Sequence, residues 1–302
     1  MKHWIKAFRL RTLPLALSSI GMGGFLAAYH GSFKAEVFWL CILTTLFLQI
    51  LSNLANDYGD SIHGADGAQR VGPSRAVQSG VITPRAMKIA MFIFGGLAFV
   101  TGIYLLYQLV NLLSLTMLGF FFLLGLLSIA AAIKYTAGKN PYGYRGLGDV
   151  YVFVFFGLVA VLGTYFLQVG ELPWRLVLPA AVCGLFSVGV LNVNNLRDIE
   201  SDQIAGKRSI PVRIGFVAGK WYHTFLVLGG WALALVFWRW TLSSPLQFIS
   251  LVTLPLFLRH LVLIWKQKEP AKLDPYLKQL AMSTLFFVLT YGFGLLLGYV
   301  VE

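Results

Sequence analysis

Two short rows of amides and carboxylates carry the chemistry this chain could do. Asn56 and Asp60 stand four residues apart within NLANDYGD (53–60), and Asn194, Asp198 and Asp202 repeat the four-residue step in the second half. Side chains at that spacing share one face of a helix. Oxygen-only donors suit a hard cation such as Mg²⁺, which typically takes one or two carboxylates from a protein and completes its shell with water and phosphate oxygens. Two facing rows would hold two such ions with a diphosphate between them. Arg70, Arg75, Lys134, Lys139, Arg145, Lys207 and Arg208 lie nearby as further partners for phosphate. A single aspartate past a helix is ordinarily a cap or a solvated loop residue. Two matching rows need more, because like carboxylates at i and i+4 repel by a few tenths of a kcal/mol unless a cation lies between them.

The elements that must position these rows are membrane helices. Of the 302 residues 58% are hydrophobic and 12% charged, about half the charge of an ordinary soluble domain. Nine apolar runs have the roughly 20 residues that span a bilayer: 12–30, 37–56, 88–107, 112–133, 149–168, 175–195, 221–240, 245–265 and 279–300. The first run follows a basic start, MKHWIKAFRLRT, without a small-residue cleavage site, which points to a retained helix rather than a signal peptide. With the N-terminus inside, one face of the membrane receives 21 of the 24 lysines and arginines, all but Lys34, Arg175 and Arg239. This bias sets topology in a cytoplasmic (inner) membrane and argues against nucleic acid as the partner of the basic charge. The two long connections, 57–87 and 196–220, fall on that inner face, and long loops usually carry function.

Each row begins at the inner end of a run, and the rows lie 138 residues and four runs apart. The expected architecture is therefore all-α, a multi-pass bundle of nine transmembrane helices forming one domain over 1–302. A first repeat covers about 12–133, a second about 149–265, and a ninth helix about 279–300, with the rows around a central cavity. Membrane proteins built from repeats often bind between them.

Other residues read more simply. Cys41 and Cys183 sit inside apolar runs without metal or redox spacing. His63, His223 and His260 are scattered, which favours surface or interfacial roles. Trp39, Trp174, Trp238, Trp240 and Trp265 fall near span ends, as an aromatic belt does. Gly294 and Gly298 fit close helix packing. No HExxH, Walker A loop or nucleophile elbow is present.

NDYGDSIHGAD (56–66) resembles the first aspartate-rich motif of the intramembrane aromatic prenyltransferases, the UbiA superfamily, and RDIESDQIAGKRSIPVRIG (197–215) resembles the second. RVGPSRAVQSGVIT (70–83) and KNPYGYRGLGDVYVFVFFGLVAVLGTY (139–165) are similar to the branch acting on 1,4-dihydroxy-2-naphthoate. The superfamily pattern has a further acid where this chain has Gly64, with Asp66 two residues on, and the naphthoate branch looks alike there. The resemblance implies Mg²⁺ and diphosphate at Asn56, Asp60, Asp198 and Asp202, with Asp57 and Asp66 as additional metal candidates. Asp60, Asp198 and Asp202 are the candidate catalytic residues, and Asn53, Arg75, Lys134, Tyr135, Arg145 and Asn194 the candidate substrate contacts.

The reaction so implied joins a polyprenyl diphosphate to the naphthoate ring with loss of its carboxyl group, giving demethylmenaquinone. Paired cations at the diphosphate stabilise the charge of the departing group. The allyl cation left behind needs an apolar, aromatic chamber that excludes water, and a cleft open to membrane lipid would let the prenyl tail stay in the bilayer. Tyr135, Tyr142, Tyr144 and Arg145, together at one inner loop, either orient the naphthoate or are belt tyrosines with a topogenic arginine. A sister enzyme using 4-hydroxybenzoate or homogentisate, and a secondary transporter, are the alternatives. Prenyl chain length and oligomeric state are not legible.

Overall fold

The computed structural model describes residues 2–63, 75–241 and 245–300. Among them nine helices are long and apolar enough to cross a membrane, the number and order expected. The spans, first to ninth, are Lys2–Tyr29, Ala35–Ile62, Pro84–Tyr107, Leu115–Lys134, Gly148–Val169, Trp174–Arg197, Phe216–Thr241, Pro245–Lys266 and Pro270–Gly298. Their starts follow local rules. The Thr83 hydroxyl accepts the Ala86 N–H ahead of a proline at the first helical position, and Ser114 accepts the Met117 N–H. The first span is interrupted at Arg9, which adopts φ 50°, before a second helix runs from Leu13 to Tyr29.

The second span runs six residues beyond the apolar run that announces it. It is one unbroken helix of 28 residues, about 42 Å at 1.5 Å per residue and longer than the hydrocarbon core. Asn53, Asn56 and Asp60 therefore ride on continuous helix at its end. The sixth span ends at Arg197, and Asp198 is the joint to a short helix, Ile199–Ile204. The four-residue step survives the joint: the Asp198 N–H bonds to the Asn194 carbonyl at 3.1 Å, and the Asp202 N–H to the Asp198 carbonyl at 2.8 Å.

The largest apolar core joins the first, fifth to ninth spans around Met22, Tyr165, Phe186, Trp231, Phe257 and Phe287. Trp238 belongs to this core, 1% exposed, and not to an interfacial belt, whereas Trp39 and Trp174 are exposed. Gly294 packs against the Leu246 carbonyl, where a methyl group would come within 2.7 Å. In the first half the core divides in two. One cluster surrounds Leu51, Leu54 and Met87, and another surrounds Val37, Leu40 and Leu105 at the far end. No residue of Leu115–Lys134 is buried. The space between these clusters is a cavity, and Phe153–Leu162 of the fifth span, wound as a π-helix, forms part of its wall; such segments occur frequently at functional sites.

Candidate active site

The second and sixth spans end beside each other at one end of the bundle, around a polar cavity of about 140 Å³ lined by Asn56, Asp60, Asn194, Asp198 and Asp202. Close approach makes this possible at Gly59. A Cβ there would meet the backbone of Thr136 inside van der Waals contact. The Thr136 hydroxyl lies 2.9 Å from the Ala55 carbonyl and 3.0 Å from the Asn56 amide oxygen. Gly146, at φ 80°, turns the connection after the fourth span onto the backbone of Arg208. There the Arg208 N–H bonds to the Tyr144 carbonyl at 2.9 Å, so the two inner connections are stitched together over the rows.

Cations hold the rows together. Lys207 reaches the Asp60 carboxylate at 3.0 Å and the Asp202 carboxylate at 3.2 Å. The Asp60 side chain, 2% exposed, also takes Arg75 at 2.5 Å and the Tyr144 hydroxyl at 2.9 Å. A second Arg75 nitrogen donates to the Asn56 carbonyl. Across the cavity Arg197, 1% exposed, grips Asp198 through Nε at 2.8 Å and Nη2 at 2.6 Å, and also bonds Asn194 at 2.9 Å. Its third nitrogen pairs with Asp274, which Arg11 also holds at 2.9 Å. Burial pushes the Asp202 carboxyl up to about 6; Lys207 opposes this and the Asp198 and Asp60 charges add to it. Burial alone would lower the Lys207 ammonium, but Asp60 and Asp202 outweigh it and hold its pKa above the usual value. Burial and the neighbouring Asp60 keep the Tyr144 hydroxyl protonated well above its ordinary range.

The donor set fits a hard divalent cation. It consists of carboxylate and amide oxygens, and an ammonium already occupies the point between the two rows. Among the described residues no three acids, histidines or cysteines converge on one point. Each row would supply one or two ligands, the number Mg²⁺ takes when phosphate oxygens complete its shell.

The other expected residues divide clearly. Arg75, Tyr135 and Asn194 line the polar cavity. Asn53 lines it too, but its amide is spent on the Phe8 carbonyl at 2.9 Å and the Thr12 hydroxyl at 3.1 Å, fixing the interruption of the first span. Asp57 is not a cavity residue: its two oxygens accept the Ala76 and Val77 N–H groups, each at 3.0 Å, and cap that turn. Lys134 and Arg145 are exposed and outside both cavities, since positive charge at this end of the bundle does not fix the direction of a side chain. Asp66 and Arg70 lie outside the described residues. His223 and His260 are not surface groups. They are buried with their Nε2 atoms 2.9 Å apart, a contact between spans that no local spacing announces. Lys207, unremarkable in a basic loop, is the central cation, and Arg197 is hidden from sequence reading because it neighbours the aspartate it holds.

An apolar cavity of about 340 Å³ adjoins the polar one, and Gln49, Asn53, Asn56, Tyr135, Val152, Phe156 and Leu191 line both. Its remaining wall includes Phe99, Ile103, Phe121, Leu124, Gly125 and Phe155 of the third, fourth and fifth spans. Phe121 stacks on Phe166 at 5.4 Å toward one end, and Tyr142 on Tyr151 at 3.8 Å toward the other. The arrangement joins a charged, oxygen-lined head site to an apolar chamber between helices.

Residues 16–289 match the UbiA prenyltransferase family. The chain is 40% identical to the 1,4-dihydroxy-2-naphthoate octaprenyltransferase of Haemophilus influenzae, over 99% of this chain and 97% of that protein. It is 41% identical to the Escherichia coli protein of the same name, over 98% and 95%. Among solved structures, the apo form of a UbiA homologue from Aeropyrum pernix superposes with a TM-score of 0.68 at 18% identity, covering 96% of this chain and 98% of the other. A homologue from Archaeoglobus fulgidus bound to DMAPP and Mg²⁺ gives 0.57 at 17%, covering 95% and 98%.

Proposed function

The chain belongs to the UbiA prenyltransferase family, and from that premise we propose that it transfers a polyprenyl chain from its diphosphate to 1,4-dihydroxy-2-naphthoate. The carboxyl group is lost, and demethylmenaquinone is formed as its hydroquinone together with diphosphate. The observation that carries this reading is the convergence of Asp60, Asp198 and Asp202 in a polar cavity continuous with the apolar one.

In this reading Asn56, Asp60, Asp198 and Asp202 hold Mg²⁺. When bound, the ion supplies positive charge to the diphosphate oxygens as the allylic C–O bond breaks. Arg75 and Lys207, already at Asp60, turn toward the diphosphate, so that their charge is present before the leaving group develops its own. The prenyl tail lies in the apolar cavity, where Phe155 and Phe156 face the allyl cation and, with Phe121 further along the tail, exclude water. Tyr135, shared by both cavities, sits where the naphthoate must meet C1 of the donor. The second and sixth spans are then equivalent members of two four-helix repeats. The concentration of basic residues in these connections supports a site at the cytoplasmic face of the inner membrane.

The test is product mass after membranes carrying the protein receive a polyprenyl diphosphate, Mg²⁺ and each acceptor in turn. Prenylated, decarboxylated naphthalenediol is expected, with loss of at least 100-fold in rate for Asp198→Ala. Undiminished transfer in excess EDTA would rule out the metal role. Preference for 4-hydroxybenzoate or homogentisate in a mixed-acceptor assay would reassign the substrate.

A further inference from the structure

Four carboxylates line the polar cavity, and the metal reading uses three of them. The fourth, Asp149, opens the fifth span and is 7% exposed. It differs from the others in its partners. Asp60, Asp198 and Asp202 each pair with Lys or Arg, whereas Asp149 has no ion pair among the described residues and accepts hydrogen bonds from the Tyr222 hydroxyl at 2.9 Å and from its own backbone N–H. Tyr222 belongs to the seventh span, so this contact holds the carboxylate from across the bundle.

The surroundings of Asp149 say what it faces. Val152 and Phe156, one and about two turns further along the same span, line both cavities. The Tyr135 ring lies against Gly148, its hydroxyl 3.1 Å from where a Cβ would stand, and the hydroxyl bonds no described residue. A carboxyl group without a cationic partner among the described residues and a hydroxyl group thus stand together where the head site meets the apolar chamber.

We propose that Asp149 is a catalytic base for the aromatic acceptor, taking the proton of the ring hydroxyl beside the carboxyl-bearing carbon. The proposal rests on the transferase reading above. As the allylic C–O bond breaks, its electron pair leaves with the diphosphate. The ring carbon that bears the carboxylate then bonds to the allyl carbon. The adjacent hydroxyl passes its proton to Asp149 and becomes a carbonyl. The bond to the carboxylate next breaks, CO₂ departs, and its electron pair restores the ring as an enolate, which recovers the proton from Asp149. The sequence is redox-neutral and the carboxylate is regenerated. A base is needed there because the hydroxyl otherwise hydrogen-bonds its own neighbouring carboxylate and gives up the proton reluctantly.

Three acceptors and one substitution test this: 1,4-dihydroxy-2-naphthoate, its 1-O-methyl ether, which lacks the proton in question, and its 4-O-methyl ether, which keeps it. In the full-length wild type in nanodiscs with Mg²⁺, kcat on the 1-ether should fall about 100-fold or more, the range of general base catalysis, while the 4-ether stays within tenfold. Asp149→Asn should lose a similar factor on the dihydroxy acceptor and lose nothing further on the 1-ether. That non-additivity is the signature of a shared proton. The KM for prenyl diphosphate and the Mg²⁺ requirement should stay within twofold. Full additivity of the two losses, or a wild type that uses the 1-ether as well as the diol, overturns the role; the second measurement needs no variant to fold. A variant that loses prenyl diphosphate or Mg²⁺ affinity places Asp149 with the metal ligands and also overturns it. A wild type that prenylates no naphthoate overturns the transferase reading and the base with it, which separates the two failures.

Discussion

Asp202 carries the burden of being a buried acid beside two others. Its carboxyl is pushed up to about 6, by burial first and then, against the opposing Lys207, by Asp198 and Asp60. The sign for metal binding follows. Above pH 6 the group is ionised and ready to ligate, and below it a proton must leave before a cation can enter. Apparent Mn²⁺ or Mg²⁺ affinity should therefore be nearly flat from pH 8 to 7 and fall by about fivefold from pH 6 to 5, approaching a factor of ten per unit further below the pKa for one linked proton. Calorimetric titration of the metal at several pH values measures this. Asp202→Asn should weaken binding overall and remove that slope; an unchanged slope would assign the linked proton to another group.

At the scale of elements, the site depends on how closely the second span approaches the turn after the fourth. Gly59 sits against the Thr136 and Ala137 backbone, with no room for a methyl group. Gly59→Ala should therefore cost about 1–3 kcal/mol, the usual penalty of overpacking, seen as a lowered Tm in detergent. It should also lower activity more than the stability loss explains, because Asn56 and Tyr144 are held through that contact. The nine spans were legible because each is an apolar run of membrane length, and the two rows because their spacing is local. What escaped was set by distant partners. The second span continues to Ile62 instead of breaking near 56, and Asp57 is consumed by backbone groups 19 and 20 residues away. Asp149 belongs to no row of acids in the sequence, and its partner Tyr222 lies 73 residues away. Lys134 and Arg145 were placed at the right end of the bundle by charge bias, which carries no information about which way a side chain faces.

The whole molecule keeps two kinds of space separate yet continuous. Packing is densest where the first span and the later spans meet the ninth, and loosest between the third, fourth and fifth, where the apolar cavity lies. That asymmetry makes the tail site testable without touching the charged one. Gly125, on the fourth span, lines the apolar cavity, and a Cβ there would meet nothing within 4 Å. Gly125→Leu therefore extends into empty space and should leave the Tm nearly unchanged, with alanine-like helix propensity offsetting the glycine it replaces. The added side chain occupies volume needed by the distal isoprene units but not by the first two. In an equimolar mixture of 10-carbon and 40-carbon donors, the product ratio should shift toward the short chain by at least about tenfold, the discrimination expected when one or two methylene groups collide in an apolar pocket. A ratio unchanged from wild type would mean that the tail leaves the head site by a path that does not pass the fourth span.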